Sequence, residues 1–286
     1  MRGRKSIAVA VRRPNGEISL TSQPLASIYK GRARNMPFIR GIIVLIETLA
    51  LGTQTLLHSA QIAAAEEEET IPPTVLWGSI VVAVAFAVAL FFITPLLVTR
   101  YLVDPYITSS VLSNLIEGVI RIGIFIAYLK IISLMPEVKR IFTYHGAEHK
   151  VVNAYEAGEP LVLDYVRKYS TANSRCGTSF LLAVLVISII VFALLGRPSI
   201  WLSITSRIVL IPVIAAIGYE FVRFGAGHYR NVLVRALLVP GMMLQSMTTG
   251  EPNDGQLETA LSAMKKVIEN DSDQPPIPTE NVGADF

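Results

Sequence analysis

The sequence predicts an α-helical integral membrane protein of about four transmembrane helices, with interfacial helices and a small N-terminal β-hairpin. Hydrophobic residues make up 52% of the 286 residues and charged residues 16%, at a mean hydropathy of +0.50, a balance unlike that of ordinary soluble domains. Several apolar runs are long enough to cross a hydrocarbon core of about 30 Å. Lys and Arg gather in the segments that such crossings would leave on one side.

Residues 1–36 hold two alternating stretches, Ser6 to Arg13 and Glu17 to Gln23, around Pro14-Asn15-Gly16, which is good hairpin chemistry. Ser6 to Val11 is too short for a secretory signal and runs at once into Arg12-Arg13. Residues 37–63 read as a helix, apolar on much of its surface but carrying Arg40, Glu47, Gln54 and His58. That mixture favours a helix at the membrane interface or packed on the bundle. Residues 64–74 are an acidic linker, Glu66 to Glu69, closed by Pro72-Pro73.

The first transmembrane pair lies in 75–135. Val75 to Val98 holds no charge, whereas Leu112 to Met135 carries Glu117, Arg121 and Lys130, the first two spaced for an ion pair within one helix. Residues 136–178 form a polar loop, and 179–224 hold the second pair, Ser179 to Gly196 and Ile208 to Phe224, joined by a short polar loop around Arg197-Pro198. The segment 225–270 stays near the membrane: Val232 to Thr248 is interrupted by Pro240-Gly241, and Leu257 to Asn270 has a helical rhythm. Residues 271–286 read as a disordered tail.

Charge placement orients these spans. Residues 1–40, 136–178 and 225–286 hold nineteen Lys and Arg, against three in 99–111 and 197–207. Cytoplasmic loops carry the excess, so both termini and the loop 136–178 are expected in the cytoplasm of a multi-pass protein. Were 37–63 to cross as well, that loop would fall outside with its six basic residues. A pI of 9.0 does not indicate nucleic acid, since no binding motif accompanies the spread-out basic residues; the lipid bilayer and its anionic head groups are the natural partners.

The loop 136–178 contains His145-Gly146-Ala147-Glu148-His149-Lys150. If Tyr144 to Ala157 is helical, a step of about 100° per residue brings His145, His149 and Glu156 within about 40° of one another, with Glu148 and Asn153 flanking them. Two imidazoles at i and i+4 can bite one divalent ion such as zinc. The order H-x-x-E-H makes His145 and His149 ligands and Glu148 a general base.

Cys176 is the one cysteine, which rules out an intramolecular disulfide and fits a reducing compartment. It stands in Ser174-Arg175-Cys176-Gly177-Thr178-Ser179 at the start of a span, where a helix dipole favours thiolate. It is either a metal ligand or nucleophile, or a small helix-start residue with Thr178 or Ser179 as the cap. Glu220, at the inner end of the fourth span, is a third-ligand candidate whose structural alternative is an ion pair with Arg223. His58 and His228 read as surface or interface histidines, His228 within possible reach of the site.

The run Tyr144 to Glu156, followed by Arg175-Cys176-Gly177-Thr178-Ser179-Phe180, resembles the YqhQ-like family of bacterial membrane proteins. The likeness extends to Ala8-Val9-Ala10-Val11-Arg12, Pro37-Phe38-Ile39-Arg40-Gly41, Tyr219-Glu220 and Thr248-Thr249-Gly250-Glu251-Pro252 with Leu257-Glu258. That family is of unknown function and is described as predicted metal-dependent enzymes, so the resemblance implies a metal and a bacterial cytoplasmic membrane and supplies no substrate. In the family's pattern His-Pro precedes the Arg-Cys-Gly-Thr-Ser run, where this chain has Asn173-Ser174. Members also begin with a Gly-rich lead-in, and this chain begins Met1-Arg2-Gly3, which leads one to expect a start further upstream.

Two functions from different classes follow. One is a metal-dependent hydrolase at the cytoplasmic membrane face, with His145 and His149 as ligands, Glu220 or Glu156 as the third ligand and Glu148 as base. The other is a non-catalytic membrane scaffold or assembly factor in which the same groups bind metal structurally, or hydrogen-bond to Asn153, Tyr155 and Arg175. A transporter comes third, with Glu117, Arg121 and Lys130 as parts of a path, but four spans without an inverted repeat argue against it.

Overall fold

The computed structural model describes residues 1–26, 36–65, 72–173, 176–228 and 231–272. Glu66 to Glu69, Ser174, Arg175 and the tail from residue 273 onward lie outside the described residues. The described chain is mostly helical, with one two-stranded antiparallel sheet. Strands β1 (Ser6–Arg12) and β2 (Ile18–Pro24) pair with Val9 opposite Thr21, and Gly16 turns the chain at φ 89°, a conformation glycine takes at no steric cost.

Helix α1 (Ile39–Ala65) runs two residues past the expected boundary. Its first turn packs on a later helix so closely that a Cβ at Gly41 would stand 2.8 Å from the Ala216 Cα. Its middle lies along the hairpin instead: Glu47 pairs with Arg2 at 2.9 Å, Gln54 donates to Gln23 at 3.1 Å, and the His58 ring meets Thr21 Oγ1 at 3.3 Å. Ile46, Leu49 and Leu56 point away, exposed.

Helix α2 (Pro73–Val88) continues through a π turn at Ala89–Ile93 into α3 (Thr94–Leu102). Pro95 has no N–H, so the carbonyl of Phe91, four residues earlier, loses its i+4 donor, and the Arg121 guanidinium donates to it at 2.9 Å. Helix α4 (Ser110–Ile132) carries that arginine. The expected Glu117–Arg121 pair forms at 2.7 Å, and Arg207 joins Glu117 at 2.7 Å, all three side chains almost fully buried. A buried carboxylate between two guanidinium groups is partnered as a buried charge must be.

After α4 the chain turns by 100° into α5 (Pro136–Glu156), followed by the single turn α6 (Leu163–Val166). Helix α7 (Gly177–Leu195) is central to the bundle and packs against α4, α9 (Ile211–Gly227) and α10 (Val232–Thr248). The expected polar loop 197–207 is largely helical: α8 (Ile200–Val209) lies before α9 with a bend of 46° between them. Arg207, a loop charge by its sequence position, points inward because Glu117 is its partner. Helix α10 runs through Pro240, and α11 (Asp254–Asp271) begins with a capping box between Asn253 and Gln256.

Two stretches, Ile39–Ile62 and Trp77–Leu102, are long and apolar enough to cross a membrane, and up to four are if each bent pair, α4 with α5 and α8 with α9, counts as one. Phe180–Leu195 and Val232–Thr248 are shorter apolar helices.

Outside the bundle, the hairpin, α5, α6 and α11 form one packed layer. Ala147, Val151 and Ala154 of α5 meet Leu257, Leu261 and Met264 of α11, with Val166 of α6 beside them. Fully burying a Val, Leu or Met side chain contributes about 1.5–3 kcal/mol, so this cluster fixes α5 to α11. Arg12 ties β1 to Glu258 at 2.8 Å, and Asp271 accepts the Arg4 and Lys5 amides at 2.6 and 3.1 Å. Asp271, read as the first residue of a loose tail, thus closes α11 onto the N-terminal segment.

Candidate metal centre

Three side chains from two parts of the chain converge where this layer meets the bundle: His145 and His149 of α5, and Cys176 at the start of α7. Their Nε2, Nδ1 or Sγ donors lie within 4.8 Å of one another. The i, i+4 spacing sets the two rings edge to face on one side of α5, centroids 4.4 Å apart and planes at 64°. Cys176 is the N-cap of α7, at φ −71° and ψ 139°, and its Sγ accepts the Thr178 amide at 3.4 Å. The cap is therefore the cysteine itself, and the Thr178 hydroxyl stands 3.1 Å from the same sulfur.

Backbone carbonyls set the rings. His145 Nδ1 meets the Thr248 carbonyl at 2.9 Å, and His149 Nδ1 meets the Thr171 carbonyl at 2.5 Å. A carbonyl only accepts, so each Nδ1 carries the proton and each neutral ring offers its Nε2 lone pair. That arrangement is the usual support of a metal-binding histidine. His145 Nε2 is 3.3 Å from Cys176 Sγ. Ligands around tetrahedral zinc stand about 3.3–3.6 Å apart at ordinary Zn–N and Zn–S lengths, so this pair already has the right spacing.

Without a metal the same contacts polarise the thiol. Burial pushes the Cys176 pKa up, but hydrogen bonding with His145 and His149, the charge of His145 and the Thr178 hydroxyl outweigh it and bring it down to about 6. Burial likewise opposes charge on His145, yet Cys176, the Thr248 carbonyl and nearby Glu148 raise it to about 9. Without a metal, both shifts favour a thiolate beside an imidazolium.

Close backbone packing makes this possible. A Cβ at Gly146 would meet the Gly250 carbonyl oxygen at 2.0 Å, so only glycine lets the segment after α10 lie directly on α5 and deliver the Thr248 carbonyl. On the other flank, Asn153 donates to the Ser170 and Ala172 carbonyls at 2.8 and 3.0 Å and accepts from Asn173 at 2.9 Å. Asn153 thus holds the loop that holds His149.

The remaining candidates are dispersed. Glu148 is exposed, one turn from His145. Glu156 is on α5 but outside the ligand group. Glu220 is also outside it: its carboxylate is gripped by the Arg40 guanidinium and by the Phe38 amide at 3.0 Å, a partner 180 residues away where Arg223 had been expected. Arg223 adds a nearby positive charge. Asn173, where the family pattern has histidine, is a hydrogen-bonding residue of the loop. His228 is exposed and stacked on Phe224, and His58 faces the hairpin. Sequence reasoning missed Gln245, buried in α10 against Asn173, and the Thr171 and Thr248 carbonyls. A buried glutamine in an apolar helix was the one available signal.

A family profile described as a protein of unknown function (DUF1385) matches residues 36–270. The chain is similar to the uncharacterised protein YqhQ of Bacillus subtilis (strain 168), 30% identical over 297 residues, covering 98% of this chain and 93% of that one. No solved structure matches.

Proposed function

The chain belongs to the DUF1385 family of proteins of unknown function, so its chemistry has to be read from its own residues, and from them we propose a metal-dependent hydrolase at the cytoplasmic face of a bacterial membrane. The observation that carries this reading is the donor set: two imidazoles and one cysteine sulfur, each imidazole backed by a carbonyl. Three protein donors are the number found in catalytic zinc sites, where a fourth direction is left for a ligand from outside.

When bound, a divalent metal such as zinc supplies Lewis-acid activation of water and of the scissile bond. The protein supplies the rest. Glu148, exposed and one turn from His145, is the general base that takes the proton. The Thr248 and Thr171 carbonyls keep both rings in one tautomer. Cys176 caps an apolar helix, so the site lies at head-group depth and favours a bond held at the membrane surface, in a peptide, an amide or a lipid head group.

Packing supports the orientation. The hairpin, α5 and α11 are one layer, so an even number of crossings separates the hairpin from α5. Taking α2–α3 and α4 as two crossings leaves α1 in the interface plane, as its contacts with the hairpin favour. Crossings by α7 and by α8–α9 then return the chain to α11 on the same side, with α10 held at the surface. The Lys and Arg bias makes that side cytoplasmic.

A second reading rests on the 3.3 Å contact of His145 with Cys176: a metal-free thiolate nucleophile activated by histidine. Metal content of detergent-purified protein, prepared without chelating resin, separates the two. Near one ion per chain, lost in the His145→Ala/His149→Ala double variant, supports the hydrolase. No ion in either, even after reconstitution with zinc, manganese or iron, overturns it and leaves the nucleophile or a structural hydrogen-bond network.

A further inference from the structure

A cavity of about 330 Å³ opens where α4 turns into α5, on the side of α5 away from the histidines. Its far wall is already committed. Gln256 donates to Thr143 at 2.6 Å and exchanges hydrogen bonds with Asn253 at 3.0 and 2.9 Å, and the Glu251 carboxylate is held by the buried Lys150 ammonium. Lys139 and Arg140 on the near wall are exposed, and among the described residues no carboxylate pairs with either. The cavity therefore presents two cations that no carboxylate pairs with among the described residues, and its own lining carboxylate, Glu251, is held by Lys150.

Its surroundings say where the matching anion comes from. Ile131, Leu134, Met135 and Ile141 are all at least half exposed, Leu134 at 79%, and they continue the apolar run of α4 around the corner. With α4 along the membrane normal, the 100° turn lays α5 along the surface, so these side chains enter the bilayer while Lys139 and Arg140 stand at phosphate level.

We propose that this cavity binds the phosphodiester head group of an anionic phospholipid through Lys139 and Arg140. The proposal rests on α4 as a span and not on the metal centre, so either can fail alone. Its test is native mass spectrometry of the full chain in detergent with dioctanoyl phosphatidylglycerol, dioctanoyl phosphatidylcholine or inorganic phosphate. Phosphatidylglycerol is expected to bind preferentially, and Lys139→Gln/Arg140→Gln to weaken it roughly 30-fold, from the usual contribution of two surface cations. The control Lys265→Gln/Lys266→Gln, on α11, leaves it unchanged. Equal retention of the two lipids, an undiminished affinity in the Lys139/Arg140 variant, or the same loss in the control overturns the assignment. Inorganic phosphate binding as tightly as phosphatidylglycerol, and lost in the same variant, overturns the lipid as the source.

Discussion

Gln245 holds Asn173 by both of its backbone groups: its Oε1 accepts the Asn173 amide at 3.0 Å and its Nε2 donates to the Asn173 carbonyl at 2.7 Å. Asn173 follows by two residues the Thr171 carbonyl that sets the His149 ring, so a residue in α10 positions a candidate ligand in α5. Gln245→Ala is expected to remove both of these hydrogen bonds at a buried site, at a cost of about 2 kcal/mol, and to weaken metal binding about tenfold or more. Thermal denaturation in detergent and competition against a chromophoric chelator measure the two effects. A variant that melts early but binds metal normally would refute the positioning role.

The ligand set makes a second prediction by residue. His145→Ala, His149→Ala and Cys176→Ser each lower the metal stoichiometry, whereas Glu220→Gln leaves it intact because that carboxylate is occupied by Arg40. Glu148→Gln also keeps its metal and loses turnover once a substrate is found, by roughly 10²–10⁴-fold for a missing general base. Loss of metal in Glu148→Gln would contradict its assignment as the base.

Metal-free protein offers a pH test. The Cys176 pKa lies near 6, below the ordinary thiol value of 9.0, so the reactive thiolate forms as pH rises through about 6. Iodoacetamide labelling should therefore level off by about pH 7, while an ordinary thiol is still gaining reactivity. Replacing His145 by alanine removes the main group lowering the pKa but not the burial that raises it, so the midpoint shifts upward. An unshifted profile in that variant would rule out the ion pair.

Gly146→Ala tests the backbone contact directly. The added methyl would sit 2.0 Å from the Gly250 oxygen, so α5 and the 248–251 segment must separate. The Thr248 carbonyl would move off His145, and metal affinity should fall together with stability, the latter by about 1–3 kcal/mol from overpacking. Metal titration and melting curves on this one variant would follow both.

Orientation is tested with single cysteines in a Cys176→Ser background. Labels at Asn15 and Lys265 should be shielded from an impermeant maleimide added to intact cells, and a label at Pro198 should react. Reaction at Asn15 together with shielding at Pro198 would invert the proposed topology.

Local features were legible in the sequence. Pro14-Asn15-Gly16 marked the hairpin, and the four-residue spacing of His145 and His149 put both rings on one helix face. What could not be read depended on distant pairing. Glu220 lies close to Arg223 in sequence but is taken by Arg40, and Cys176 meets His145 across 31 residues of chain. The segment 197–207 read as a loop because Arg207 looks like a surface charge until Glu117 is known to face it. In a bundle with few polar groups, each finds a partner by position in space, and sequence distance says little about which.

The contact between Gly146 and Gly250 also fixes an order of assembly. His145 and His149 leave the ribosome about a hundred residues before the Thr248 carbonyl that sets one of the two rings, and α11, which clamps α5, comes later still. On the proposed reading, the spans enter the lipid while the centre is still unfinished, metal loading is a late, post-synthetic event, and a chain cut short after α9 would lack the carbonyl that sets His145.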